Sequence, residues 1–503
     1  MTKILTLDDS TLKEIKKKYK KIVLAHGVFD LLHIGHLRYL KKAKSLGDCL
    51  IVSVTNDENV NKGINRPFFN ENLRMEAISQ ISCVNYVILS KNKSSEKIIR
   101  GIEPKIYVKG AEYKTPPKMQ LKNYKDELNA IKSVGAKFKI IEDINFSSSS
   151  LINSNFDKLN IDQKQILQNI IIKKKINFEK ITEKKIKEPI FIFGDIIIDK
   201  FIFTQSLGKS RKNNIISTRF KKVENYDGGS LMIAKILSKY FSNINMLTHL
   251  NKKEITKLKK RFKEIKFVNI ENENSGLITK TRYVDEYNLT KIFQVNENDQ
   301  MSLDKLSESK IMNKLFNLAK NINNIVIADF GHGLISDKVC KIINNLKNNK
   351  FINCQANSSN FGYNKFTKYK YAKLLSCDED ELRLSLNDNN NELHSTLKKN
   401  IKKFKNIKKM IVTSGKQGSY CIEKRKIDFI KSLKINNMID SIGCGDVFFS
   451  YLIILDKLKK IKFSNLETMI LCHLAASLHS KYFANSKIID RIEFIKGLKS
   501  FSA

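Results

Sequence analysis

Short apolar runs alternate with stretches of helical spacing twice along this 503-residue chain, and that alternation limits its fold more than any other feature. From Ile22 to about Ile144, "KIVLAHG" and "CLIVSVTND" read as buried strands, and "GHLRYLKKAKSLG" and "NENLRMEAISQI" as helices. "VNYVILS", "KIYVKG" and "KFKIIED" add strands, with "KSSEKIIRGIE" and "KDELNAIKSVG" as helices between them. Strands separated by helices pair in parallel, so a doubly wound α/β sheet is expected. A second alternating region opens at "EPIFIFGDIIIDKF". It runs through the strands "NIVIADF", "KMIVTSG" and "SYCIEKRKIDFI" to the helices "GDVFFSYLIILDKL" and "LETMILCHLAASLHSKYFA". Between the two regions the chain is rich in Lys, Asn and Ile with helical periodicity. The expected organisation is a domain at 1–155, a helical Lys-rich linker at 156–187 and a second domain at 188–503.

Composition narrows the class. A hydrophobic fraction of 42% with 28% charged residues, and no apolar run of about 18 residues, reads as globular without a membrane span. The first residues lack the apolar stretch and cleavage site of a secretory signal, so a cytoplasmic location is expected. The eight cysteines are dispersed without a C-x-x-C pair, which argues for reduced packing residues rather than disulfides or a zinc site. The formal charge of +40 comes mostly from Lys spread along the whole chain. Without an aromatic-interleaved basic cluster or a recognition helix this is read as a solvated surface that attracts anionic substrates, not as a nucleic-acid site.

The stretch "LAHGVFDLLHIGHLRYL" places three of the eight histidines within eleven residues, where a strand hands over to a helix. Doubly wound folds bind ligands at such carboxyl ends of strands. His33 and His36, three apart, can share one face of the first helical turn, and Gly35 lets a nucleotide approach the backbone. Two imidazoles and a helix N-terminus aimed at one point make a receptor for phosphate oxygens. Near the other end, "DSIGCGDVFFSYL" sets Gly443 and Gly445 just before an apolar helix, a nest for a transferring phosphate, with Asp446 in the first turn as a candidate general base.

Both stretches resemble known families. Gly27, Phe29, Asp30, His33, Gly35 and His36 match the G-x-F-D…H-x-G-H signature of a nucleotidyltransferase family with a Rossmann-like fold. "NRPFFNENLRMEAI" resembles its R-P…E-x-x-R segment through Arg66, Glu71 and Arg74. "IYVKGAEY" resembles its V-K-G-x-x-Y segment through Lys109 and Gly110, and "FSSSSLI" its serine-rich turn. The resemblance implies that His33 and His36 stabilise the transition state, and that Gly27, Phe29, Gly35, Arg74 and Lys109 bind the nucleotide. It also implies that Ser147–Ser150, Ser148 and Ser149 within it, cap a phosphate-binding helix; the individual serine stays open. Class I aminoacyl-tRNA synthetases share H-I-G-H, but no K-M-S-K-S-like segment accompanies it here.

The second half resembles the ribokinase-like sugar kinases, α/β/α proteins with a D-x-x-G-A-G-D motif, Cys444 replacing the alanine. "VTSGKQGSY" resembles their nucleotide loop through Thr413, Gly415 and Gly418. "FIFGDIIIDKF" and "YDGGSLMIA" resemble their sugar-binding elements through Asp199, Gly228 and Gly229. Three departures stand out: Met232 where the family holds the sugar with an asparagine, "LLSCDEDELR" for N-x-x-E, and "CQANSSNFGYNKF" for a D-P-K-type stretch. Asp380 or Glu381 takes the acidic, metal-side part.

A sugar kinase joined to a nucleotidyltransferase resembles the bifunctional heptose-7-phosphate kinase and heptose-1-phosphate adenylyltransferase of bacterial cell-surface glycan synthesis, in reversed order. The resemblance implies a sugar phosphate and a nucleoside triphosphate, ATP or CTP, as small-molecule partners, and Mg²⁺ to offset triphosphate charge. Two alternatives remain: a transferase fused to a sugar-binding module that has lost catalysis, and a CTP-dependent transferase for another phosphorylated sugar or polyol. A homodimer stays open.

Overall fold

The computed structural model describes residues 3–5, 9–60, 66–92, 94–110, 121–141, 161–173, 184–210, 214–299, 302–388, 390–433, 438–458 and 461–500. The chain divides into two compact units, 1–158 with 495–503, and 159–494.

In the first unit, strands β1 (Lys3–Leu5), β2 (Ile22–Gly27), β3 (Cys49–Thr55), β4 (Tyr86–Ser90), β5 (Ile106–Gly110) and β6 (Lys137–Ile141) form one parallel sheet in the order β1-β4-β3-β2-β5-β6. Alternate residues of β2 enter two different cores. Val23 and Ala25 pack with Leu40, Val52 and Val54, whereas Ile22 and Leu24 pack with Ile51, Ile99 and Tyr107. A sheet covered on both faces needs such continuous apolar strands. Because β3 lies on one side of β2 and β5 on the other, the carboxyl end of β2 is the switch point of the sheet.

The second unit has thirteen strands among its described residues, nine of them in its main sheet. In chain order β7 is Ile190–Gly194, β8 Ile196–Lys209, β9 Ile216–Gly228, β10 Ile244–Leu250, β11 Ile265–Glu271, β12 Ile278–Asp285 and β13 Lys291–Glu297. They are followed by β14 (Asn324–Asp329), β15 (Asn349–Cys354), β16 (Ala372–Asp378), β17 (Ile407–Ser414), β18 (Gly418–Glu423) and β19 (Lys426–Ile430). The main sheet runs β11-β10-β7-β14-β15-β16-β17-β18-β19, parallel as far as β17. Its switch point is the carboxyl end of β7. The remaining strands make a separate four-stranded sheet, β13-β12-β8-β9, which the sequence reading did not separate from the rest.

Two expectations change. "SYCIEKRKIDFI" is not one strand but the hairpin β18–β19, turned by Lys424 and Arg425 at φ 50° and 64°. Two left-handed residues make the tight turn that suits strand twist, and the usual Asn-Gly signal for it is missing from the sequence. Within 156–187, the helix Ile161–Gln168 is packed into the second unit. Leu167 and Ile170 are fully buried, and Gln163 donates to Lys431 O at 2.7 Å. The eight cysteines are all free. Among the described residues no helix is long and apolar enough to cross a membrane.

Candidate functional site

The first site is built on the handover from β2 to the helix Ile34–Lys44. Gly27 ends the strand, and Phe29 turns the chain at φ 49°, its side chain buried. His33 is the helix N-cap: its Nδ1 accepts the Gly35 N–H at 3.1 Å. That bond places the proton of the neutral ring on Nε2. His36 lies one turn on, its ring centroid 4.0 Å from that of His33 and 5.5 Å from Phe29, edge to face. The expected pair of imidazoles is therefore side by side at a helix start, where main-chain N–H groups and the dipole favour an anion.

The loop is held from below by buried charge. Asp30 accepts the N–H groups of Phe68 and Phe69 at 2.7 and 3.1 Å and pairs with Arg66 at 3.1 Å, both side chains at most 1% exposed. Arg74, expected at the nucleotide, is 1% exposed and donates to Phe69 O, Val28 O, Thr55 O and Asp57 Oδ1 at 2.6–2.9 Å. These bonds make it a brace for the loop. Lys109 is buried over the Tyr107 ring, with Nζ 3.5 Å from Glu127. His26, given no role from sequence, bonds Ser53 Oγ at 3.1 Å beneath the loop. Burial, reinforced by Lys109, holds it well below the ordinary imidazole value, so it is neutral. Ser148 and Ser149 lie outside the described residues.

The second site gathers residues from distant parts of the chain. The helix Cys444–Lys457 starts at Gly443, φ 79°, where a β-carbon would collide with Asn485 Oδ1. Glycine is required there on both counts. Gly445 faces open space, and Asp446 beside it is 7% exposed. Burial and then Asp199 push the Asp446 carboxyl up to about 7, against Gln355 and Lys280, which pull it down. A carboxylate with that value is poised to take a proton near neutral pH. Asp199 on β8 pairs with Arg282 of β12, and Gly228 closes on it so tightly that a β-carbon there would strike its Oδ2. Gly229 opens the next helix at φ 58°.

The sequence departures now have locations. Met232 is fully buried, at 0% exposure, in the helix Gly229–Leu237. Glu381 is buried; its two oxygens accept Ala356 N–H and Asp378 N–H at 2.9 and 2.7 Å, and burial pushes it up to about 8. Asp380 is exposed. No group of three or more His, Cys, Asp or Glu able to cage a metal occurs among the described residues. Mg²⁺ commonly binds through one or two carboxylates plus substrate phosphates, and the spare lone pairs of Glu381 fit that pattern. Thr413 is the last residue but one of β17, and Gly415 and Gly418 bracket the following turn at φ 48° and 134°. Asp195, at the end of β7, accepts Phe330 and His332 N–H groups at 3.1 and 3.3 Å; burial and Asp329 push it up to about 7.

Comparison with known proteins agrees with this division. Residues 24–155 match the cytidylyltransferase-like family and residues 187–454 the pfkB family of carbohydrate kinases. The bifunctional protein HldE of Helicobacter pylori (strain HPAG1) is 42% identical over 113 residues, 22% of this chain and 24% of that protein. HldE of Wolinella succinogenes is 41% identical over 103 residues, 20% and 22% of the two chains. The matched part spans about a quarter of the length of these curated relatives. Among solved structures, Arabidopsis thaliana ribokinase complexed with ribose and ATP is 16% identical, covering 62% of this chain and 99% of its own, with a TM-score of 0.47. With residues 187–454, more than half of its length, matching the family model, the chain belongs to the pfkB family of carbohydrate kinases, and it carries a cytidylyltransferase-like domain ahead of the kinase domain.

Proposed function

We propose that the two units catalyse two steps toward an activated sugar. In the second unit Asp446 takes the proton of an anomeric hydroxyl as that oxygen attacks the γ-phosphorus of ATP; the bond to ADP breaks, and the N–H groups at Gly443–Gly445 hold the phosphoryl oxygens. The kinase product of a sugar 7-phosphate is the 1,7-bisphosphate, whose 7-phosphate a separate phosphatase must hydrolyse. In the first unit, a phosphate oxygen of the sugar 1-phosphate so formed attacks the α-phosphorus of a nucleoside triphosphate, ATP or CTP. Pyrophosphate leaves, its charge met by His33, His36 and the helix start, with Lys109 adding positive charge nearby.

The substrate is a heptose-type sugar phosphate and the product an ADP-heptose-like precursor of cell-surface glycan, made in the cytoplasm. The HldE relatives support this reading over the first domain. Glu381 is the carboxylate that would help hold Mg²⁺, which would offset the triphosphate charge. The observation that carries the proposal is the imidazole pair, 4.0 Å apart at a helix N-terminus, in a chain that also holds a buried carboxylate at a glycine-flanked helix start.

The burial of Met232, where a sugar-binding asparagine is expected, favours a second reading in which the kinase domain binds sugar without phosphorylating it. Mass spectrometry of products from ATP, CTP and candidate sugar 7-phosphates separates the two. The proposal expects a sugar 1,7-bisphosphate from ATP and the 7-phosphate, and an NDP-sugar when sugar 1-phosphate is supplied. An NDP-sugar from the 1-phosphate with no bisphosphate from any 7-phosphate would establish the second reading, and neither product would remove both.

A further inference from the structure

The segment after β15 is where the kinase resemblance expects an acidic D-P-K-type stretch, and where this chain reads Cys354-Gln355-Ala356-Asn357. Its main chain is pinned. Gln355 N–H donates to Asp329 O at 2.8 Å, and Gln355 O accepts Asn364 Nδ2 at 2.9 Å. Asp329 is itself buried and paired with Lys368 at 2.6 Å. From this fixed base the Gln355 side chain reaches Asp446, Nε2 to Oδ1 at 3.2 Å, while the adjacent Ala356 N–H reaches Glu381. One dipeptide thus touches both acids of the site.

The geometry points to Gln355 as the positioning residue of the kinase base: its amide fixes Oδ1 of Asp446 and leaves Oδ2 to receive the substrate proton. This rests on the kinase reading above. The charged groups acting on Asp446 are Asp199 from β8 and Lys280 from β12, and Cys444 shares its helix. Since Asp199 already opposes ionisation of Asp446, a carboxylate in place of the amide would add a second like charge. A neutral donor instead favours the ionised base.

The test uses full-length protein with Gln355→Leu and the near-isosteric Gln355→Glu. Two quantities are followed against pH: kcat/KM of the kinase for its sugar, and the Asp446 carboxyl resonance in protein labelled with ¹³C at aspartate, assigned by its loss in Asp446→Asn. Both should move upward in the order wild type, Leu, Glu, by about one pH unit for Leu, which is about a tenfold loss of kcat/KM on the acid side, with KM for ATP unchanged. A uniform loss at every pH with an unmoved carboxyl resonance overturns the positioning role. If no sugar is turned over, the kinase reading fails, and the resonance alone still decides whether Gln355 holds Asp446.

Discussion

The two sites of this chain are assembled in opposite ways. The first takes its chemistry from ten consecutive residues, Gly27 to His36, where one strand end and one helix start fix the geometry. The second takes Asp199 from β8, Lys280 and Arg282 from β12, Gln355 from beyond β15, Glu381 from a helix after β16 and Asp446 from a helix much later. A local site is specified by helical spacing and a cap. A distributed one exists only once the sheet order has brought its parts together, so each contributing position can change separately. That difference accounts for a first site with its signature intact and a second with three altered segments.

Four measurements break or sharpen this contrast. The largest effect is expected from Asp446→Asn, which should lower kinase turnover by about 100- to 10,000-fold, read as ADP formation, with pyrophosphate release unaltered. Next, His36→Ala should lower pyrophosphate release by about 100- to 1000-fold and leave ADP formation intact. Loss of both activities in either variant would show that the two sites are not separate. Asp30→Ala removes the carboxylate paired with the buried Arg66 guanidinium and should cost the first unit about 3–5 kcal/mol in urea unfolding; an unchanged midpoint would mean that the loop needs no support from the Arg66 segment. The smallest effect is the pH response. Asp446 acts ionised and its value is raised to about 7, so kinase kcat/KM should fall as pH drops through about 7, by about tenfold per unit below it, and level off above. A flat profile down to about pH 5 would remove Asp446 as the base.

Much of the fold was readable because buried parallel strands are apolar throughout and their helices keep a separate period, as β2 and β3 show. The hairpin at Lys424–Arg425 was not, because its left-handed turn is made by residues that carry no turn signal. The placing of His33 beside His36 at a helix start was legible from their spacing. For Arg74 the sequence carried no sign of its bonds to three carbonyls and one carboxylate from three separate segments. Gln355 and Lys280 had no local signal at all; they matter through Asp446, about ninety and more than one hundred sixty positions away.

By itself the sequence determined the two doubly wound sheets, the strand-to-helix handover that sets His33 beside His36, and the glycine-flanked start of the helix bearing Asp446. These depend on periodicity, chain stiffness and capping, which act over a few residues. Only the tertiary structure decided which acid is buried, which arginine is spent on carbonyls and which amide meets the base. Those outcomes follow from desolvation and close approach between segments far apart in the chain, and no local pattern encodes either.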